Sequence, residues 1–205
     1  MTAHRFALCA LVLTLLSGCS ALNALSSAGA PMDAYTLSPV AVPDAPLGGG
    51  RHLVVELPTS GGAVASDRIL IKPLPFQAEY LPDGRWSEPA PALVQTLLVA
   101  SFQNTGGFRL VGRTGAGLMP DYTLMNEVQE FHAEPQGTEP APLTVRVSLM
   151  ATLIRESDRS IVAARRFSAN ATAPANDTAT LVRAFDAAMR PVLEGVVSWT
   201  RAQAR

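Results

Sequence analysis

Cysteine and histidine are scarce in this chain, which has two cysteines and three histidines among 205 residues. Cys9 lies in an apolar stretch that we predict is removed during export, and Cys19 follows that stretch. The remaining chain then has no pair of thiols for a disulfide, so its hydrophobic core must hold the fold. His52 and His132 alone leave little room for a serine triad or a histidine metal site.

Other chemistry-bearing patterns are also missing. The sequence has no Gly-Lys-Ser/Thr phosphate loop and no Gly-x-Ser-x-Gly elbow. Without Arg5, the 16 basic residues become 15 against 17 acidic ones, and no basic stripe suggests nucleic acid. We therefore expect no enzyme activity, no cofactor and no nucleic-acid partner. Carboxylate pairs among Asp67, Glu79, Glu127 and Glu130 that meet in space stay open.

The N-terminus has the organisation of an export signal. A short cationic start precedes residues 6–16, which are apolar apart from Thr14 and too short to span a bilayer. Small residues then precede a cysteine in the pattern of a lipobox, formed by Leu16, Ser17, Gly18 and Cys19. We predict that residues 1–18 are a lipoprotein signal peptide and that Cys19 carries the lipid. An ordinary signal peptide is the alternative.

Composition divides the mature chain into a tether and one domain. Residues 20–34 are rich in Ala and Ser, and residues 39–50 are rich in Pro and Gly. Neither stretch predicts a continuous packed element, and residues 35–37, which lie between them, predict a short extended segment. We predict a lipidated flexible tether over residues 19–50 and an α+β domain over residues 51–205. Ser20 follows the cysteine where an aspartate would retain the protein in the inner membrane, so we expect the outer membrane.

Hydrophobic periodicity predicts the elements of the domain. Alternating or branched residues predict strands, and spacings of three and four predict two helices, the first capped by Ser87 and the second by Asp177 or Thr178. A turn is predicted at residues 82–84. The strands are predicted at residues 53–57, 68–72, 77–81, 108–111, 122–131, 143–154 and 161–169, and the helices end before residue 106 and at residue 202. This order predicts one α+β domain, with two helices on one side of a largely antiparallel sheet.

Two small constellations are candidates for a binding role. Asp67 and Arg68 precede a strand, and Arg85 and Trp86 precede the first helix. Asp67 can cap a turn, and Arg85 and Trp86 can pack where a hairpin meets a helix. Trp and Arg are also residues that protein interfaces favour, so a partner-binding role is the other interpretation.

The same residues, taken in order, resemble a known family. A lipobox is followed by Tyr35-x-Leu37, by Asp67-Arg68-Ile69, and by the run of residues 85–89, which reads Arg-Trp-Ser-Glu-Pro. A helix, a strand meander and a long final helix come after it. This order resembles the ABC-type transport auxiliary lipoproteins, which include paraquat-inducible protein C.

The resemblance implies a function and partners. It implies a periplasm-facing accessory that works with an ABC permease, its ATPase and a Mce-domain (MlaD-like) protein in lipid transport, by docking and not by catalysis. The lipid on Cys19 would hold it to the membrane, and self-association into a homo-oligomer stays open. The alternatives are an envelope-assembly or structural lipoprotein with another partner, and a domain that itself carries lipid.

Overall fold

A single mixed sheet with two helices forms the domain. The computed structural model describes residues 32–41, 49–115, 117, 119–137 and 142–204. In chain order the elements are β1 (Asp33–Tyr35), β2 (His52–Val55), β3 (Thr59–Ser60), β4 (Arg68–Ile71), β5 (Glu79–Trp86), α1 (Ala90–Thr105), β6 (Leu110–Arg113), β7 (Tyr122–Pro135), β8 (Leu143–Arg155), β9 (Ser160–Ala173) and α2 (Thr178–Gln203). The predicted α+β class is confirmed.

The long strands form an antiparallel meander. β7 pairs with β8, and β8 pairs with β9, over almost their full lengths. The face predicted for β8 is buried because its alternate side chains point toward the helices. Its members are at most 6% exposed: Leu143, Val145, Val147, Leu149, Ala151 and Leu153. Burial of each large apolar side chain contributes roughly 1.5–3 kcal/mol, so this row is a main source of stability.

The other edge of β7 is covered by short parallel strands. β2, β3 and β4 pair with it one after another, in the same direction as β7. β5 then pairs antiparallel with β4, and β1 pairs parallel with β5. The sheet is therefore mixed: its longest pairings are antiparallel, as predicted, and its N-terminal strands are mostly parallel.

Both helices pack on the sheet and on each other. α2 begins as predicted, because the side chain of Asp177 accepts a hydrogen bond from the amide of Thr180 at 2.9 Å. The cap predicted for α1 is wrong. Ser87 donates its amide to the Tyr35 carbonyl at 2.7 Å, and the helix begins after Pro89. Ser87 is thus held beside the end of β1 and lies three residues before the helix.

The turn predicted at residues 82–84 is also wrong, since β5 continues to Trp86. Gly84 is needed there for close approach. A Cβ at this position would lie 2.5 Å from Cγ2 of Thr178 and 3.2 Å from the ring of Tyr35. Glycine therefore lets β1 and the start of α2 pack against β5, and it does not mark a turn.

Residues 33–41 differ from the tether predicted for them. β1 is part of the sheet, and Leu37 and Val40 are buried with 5% and 7% exposure. These side chains join the core, so the ordered domain begins at least as early as β1. Of the predicted tether, residues 19–31 and 42–48 lie outside the described residues, as does the signal peptide.

Candidate functional site

The structure brings the two predicted constellations together. Arg68 at the start of β4 lies opposite Arg85 near the end of β5. The amide of Trp86 donates to the carbonyl of Asp67 at 2.6 Å. The amide of Ala90, the first residue of α1, donates to the Ser66 carbonyl at 3.0 Å. The segment around Asp67 therefore fixes both the end of β5 and the beginning of α1.

Two charged side chains of this corner, those of Asp67 and Arg85, form an ion pair. Nη1 of Arg85 lies 3.2 Å from Oδ2 of Asp67, and both side chains are 39% exposed. An ion pair at this exposure contributes about 0–1 kcal/mol. Its main effect is thus to orient the two side chains at the surface.

Arg68 binds the backbone of its neighbour strand. Its Nη2 donates to the carbonyl of Leu81 at 3.1 Å, and its guanidinium carbon lies 5.8 Å from the centre of the Tyr80 ring. The register between β4 and β5 shifts between Arg68 and Leu70. Arg68 therefore stabilises an irregular stretch of the sheet.

Trp86 corrects the expectation of a partner-binding tryptophan. It is 1% exposed, and its ring centre lies 5.3 Å from that of Phe131 and 5.1 Å from that of Phe185. The rings of Phe131 and Phe185 are themselves 5.0 Å apart. This aromatic cluster joins β5, β7 and α2, so Trp86 is a core residue and presents no surface to a partner.

The Tyr35-x-Leu37 segment meets the same corner and continues across the helices. Tyr35 lies level with Trp86 in the β1–β5 pair. The amide of Ser38 donates to Oδ1 of Asp186 in α2 at 2.7 Å, and the amide of Val40 donates to Oγ of Ser101 in α1 at 2.9 Å. We call residues 33–41 the strap. The sequence motifs thus mark where the strap is attached to the domain.

Three titratable groups on β7 and β8 are engaged in structural pairs. His132 is buried in β7, and its Nε2 lies 3.4 Å from Oε2 of Glu134, which also pairs with Arg146. Burial, with the nearby charge of Lys72, lowers the pKa of His132 below 6.5. Partial burial raises the pKa of Glu134, but Arg146 and His132 outweigh it and lower this pKa below its ordinary value.

Glu127 and Glu130, two of the carboxylates that the sequence left as a possible pair, line the same hollow. Glu127 and Glu130 flank a register shift in β7 and line a shallow depression of about 600 Å³, together with Arg166 of β9. Among the described residues, no three His, Cys, Asp or Glu side chains are grouped so that they could hold a metal ion. His52 lies apart from these groups, and its amide donates to Asp121 at 2.7 Å.

Sequence reasoning missed an exposed apolar loop. Leu74 and Phe76, in the connection between β4 and β5, are 64% and 109% exposed. The available signal was the alternation of these residues with Pro73 and Pro75, outside any helical or strand period. The predicted lipobox (Leu16, Ser17, Gly18) and Cys19 lie outside the described residues, so their role stays a prediction.

Comparison with known proteins decides the family. The model of the family described as ABC-type transport auxiliary lipoprotein component matches residues 35–197. The chain belongs to this family. The match begins at Tyr35 and so includes most of the strap, and it covers both motif constellations. The family is one of transport accessory lipoproteins.

Two individual proteins are similar to this chain over most of its length. Protein XCC0632 from Xanthomonas campestris has a crystal structure that matches with a TM-score of 0.75 and 26% identity, over 85% of this chain and 96% of that one. Protein bll6063 of Bradyrhizobium diazoefficiens is 26% identical over 151 residues, which are 72% of this chain and 39% of that protein. The chain thus spans well under half the length of this curated relative.

A more distant structure shows the fold alone. The hypothetical protein CT253 from Chlamydia trachomatis is 10% identical, with a TM-score of 0.50 over 76% of this chain. In the described part of the chain, no helix has the length and apolar character needed to cross a membrane.

Proposed function

We propose that this family member is a membrane-anchored, periplasm-facing accessory of an ABC transport system of the Mce type, which moves lipids, and that it acts by docking. The lipid on Cys19 would hold it to the outer membrane. The partners would be the permease, its ATPase and the Mce-domain protein. The observation that carries the proposal is the family match over residues 35–197, and the contacts of Asp67, Arg68 and Arg85 with their neighbouring strand and with one another support a docking role.

The edge of β9 is the docking surface that this proposal favours. β9 has 14 residues, and among the described strands it pairs with β8 alone. Such an edge offers unpaired backbone groups, to which a partner can add a strand. Arg165 and Arg166 lie exposed in the middle of β9. Their charges disfavour indiscriminate pairing with other edges and leave the surface open to a matched partner.

Photo-crosslinking in native membranes tests the docking role. A photo-reactive residue replaces Arg166 on β9, and the control replaces Arg190, an exposed arginine on α2. We expect Arg166 to yield adducts with the Mce-domain protein or the permease, and Arg190 to yield few. Adducts with an outer-membrane assembly factor alone would favour the rival function, and equal adduct patterns from the two sites would refute docking at β9.

The anchor has a separate test. Replacement of Cys19 by Ala should leave the domain folded, because residues from Leu37 onward form the hydrophobic core, and should release the protein from membranes. Fractionation by centrifugation measures the release, and circular dichroism checks the fold. Cys19→Ala protein that still sediments with membranes would contradict lipid anchoring.

Lipid carriage by the domain itself is less well supported. The depression between β7 and β9 is lined by Glu127, Glu130 and Arg166, and a second hollow, of about 400 Å³, is lined in part by Arg51, Asp121 and Arg155. Charged walls of this kind do not favour acyl chains, since apolar ligands bind in apolar pockets. Mass spectrometry of lipids extracted from the purified protein would detect such cargo.

A further inference from the structure

The loop between β4 and β5 displays two large apolar side chains to solvent. Leu74 is 64% exposed, and Phe76 is 109% exposed. Together with Pro73 and Pro75 they form residues 73–76, which we call the apolar tip. Single exposed apolar residues are common on proteins. A fully exposed Phe side chain close to an exposed Leu at the end of a loop forms an apolar patch of the kind that contact surfaces use.

The backbone holds the apolar tip in this exposed form. Pro73 and Pro75 restrict their own φ angles. Phe76 has a φ of 68°, a left-handed conformation that is unusual for a bulky residue. The amide of Gln77 donates to the Leu74 carbonyl at 3.1 Å and closes the turn, while the amide of Lys72 donates to the Ala133 carbonyl at 2.8 Å. Residues held in such sparsely populated backbone conformations cluster at functional sites in proteins.

The direction of the strands shows which end of the sheet bears the tip. β4 and β7 run in parallel. Ile71, the last residue of β4, pairs with Ala133, two residues before the end of β7. Residues of the apolar tip and the end of β7, including Glu134 and Pro135, line one shallow hollow. We call this end of the sheet the tip end. β5 starts there, at Glu79.

The polypeptide that leads from Cys19 joins the domain at β1, beside β5. β1 runs parallel to β5 and pairs with its last three residues, so Asp33 lies beside Gly84, five residues along β5 from the tip end, and is the residue of β1 nearest to that end. Asp33 is the fourteenth residue after Cys19. At 3.3–3.6 Å per residue, the covalent chain between them spans at most about 50 Å. A lipid on Cys19 therefore keeps the point where β1 begins within that distance of the bilayer surface.

We infer that the apolar tip inserts Leu74 and Phe76 into the lipid surface that holds the Cys19 lipid. This inference rests on the anchor of the proposed function and adds a second, orienting contact to it. The tip end of the sheet then faces the bilayer. The opposite end, where β7 begins, faces the transport partners, and the exposed β9 edge runs between the two ends.

The charges of the tip end specify the lipid. Glu79 and Glu134 lie there together with the bases Lys72 and Arg146, so charges of the two signs are balanced. A balanced set of charges does not attract an anionic surface. The contact therefore depends on the apolar side chains, and the preferred occupant is a zwitterionic phospholipid surface.

An environment-sensitive fluorophore at the tip tests the inference. The full-length lipidated protein is bound to phosphatidylcholine vesicles, with the fluorophore on Phe76→Cys or on the control Met119→Cys. Met119 is 90% exposed and lies three residues before β7, at the opposite end of the sheet. We expect emission from position 76 to rise severalfold on vesicle binding and to be quenched by brominated lipids, whereas position 119 stays in water.

Three results would overturn the inference. One is a fluorophore at position 76 that stays in water on vesicle-bound protein, and another is equal lipid quenching at positions 76 and 119. The third is protection of position 76 that requires added transport proteins, since this would make the tip a protein contact. Replacing a third of the lipid by phosphatidylglycerol should not strengthen the signal at position 76, and a stronger signal would also contradict the apolar contact.

The proposed function fails separately. If the wild-type lipidated protein does not remain on vesicles at all, the anchor at Cys19 is wrong. If it remains bound through Cys19, and Cys19→Ala releases it while position 76 stays in water, only the orienting contact is wrong.

Discussion

Replacement of Trp86 by Ala should destabilise the domain strongly, although its neighbour Arg85 should tolerate the same change. Removal of a buried Trp costs about 3–5 kcal/mol through lost burial and the cavity left behind. The contacts with Phe131 and Phe185 account for about 0.5–1.5 kcal/mol each within that cost. Arg85→Ala removes only a half-exposed ion pair with Asp67, worth about 0–1 kcal/mol.

The difference is large compared with the 5–15 kcal/mol by which typical domains are stable. Urea unfolding followed by far-ultraviolet circular dichroism measures it without relying on the indole that the substitution removes. With a typical slope of about 1–3 kcal/mol per M, Trp86→Ala should lower the midpoint by about 1 M or more. A Trp86→Ala protein within about 1 kcal/mol of wild type would refute the core role and restore the partner-binding interpretation.

The remaining predictions concern the strap, the His132–Glu134 pair and the apolar tip. Asp186→Ala removes the charged acceptor of the Ser38 amide and should lower the free energy of unfolding by about 1.5–3 kcal/mol, with faster hydrogen exchange in the strap. The control is Glu194→Ala, because Glu194 is exposed on the same helix. Equal effects of the two substitutions would contradict the strap contact. Folding lowers the pKa values of both Glu134 and His132, so the unfolded state binds more protons than the folded state. The free energy of unfolding should therefore fall as the pH drops below about 6.5, because of His132, and again as it drops below about 4.5, because of Glu134. Urea titrations of His132→Gln and Glu134→Gln should each lack the matching step, and a proton resonance of His132 that titrates above 6.5 would reverse the sign. Phe76→Gly relieves a left-handed φ at an exposed site and should leave the unfolding free energy within about 1 kcal/mol of wild type, whereas a loss above about 2 kcal/mol would show that Phe76 is packed.

Elements with strong local patterns could be predicted from the sequence. The alternation in β8 and the apolar stripe of α2 are short-range signals that require no knowledge of neighbours. The observed bounds, Leu143–Arg155 and Thr178–Gln203, differ from the predicted ones by one residue. Asp177 could be predicted as a cap because its bond to Thr180 is local as well.

Features that depend on distant partners could not be predicted in this way. β1 has three residues and exists only because the edge of β5 is free to pair with it. In the sequence, Gly84 indicates a turn. Its actual role depends on Thr178, which is distant in the sequence and lies in contact with Gly84 in the folded domain. The burial of Trp86 depends likewise on Phe131 and Phe185, which the fold brings together.

The candidate site was predicted in part. The sequence identified Asp67, Arg68, Arg85 and Trp86, and the structure shows that they form one corner with the strap. Their interpretation as a partner surface failed for Trp86, because residue preference at interfaces carries no information on burial. The apolar tip was missed for the opposite reason: Leu74 and Phe76 are residue types usually found inside, and the backbone at Phe76 keeps them outside.

Affinity purification of the full-length lipidated protein from native membranes shows whether it acts with an ABC transport system. Quantitative mass spectrometry compares the proteins recovered with wild type and with Cys19→Ala, at equal amounts of folded bait. An accessory of an ABC transport system should recover the permease, the ATPase and the Mce-domain protein well above background, and the Cys19→Ala protein should recover much less of them. Recovery of envelope-assembly proteins, with the permease and ATPase at background, would contradict the account.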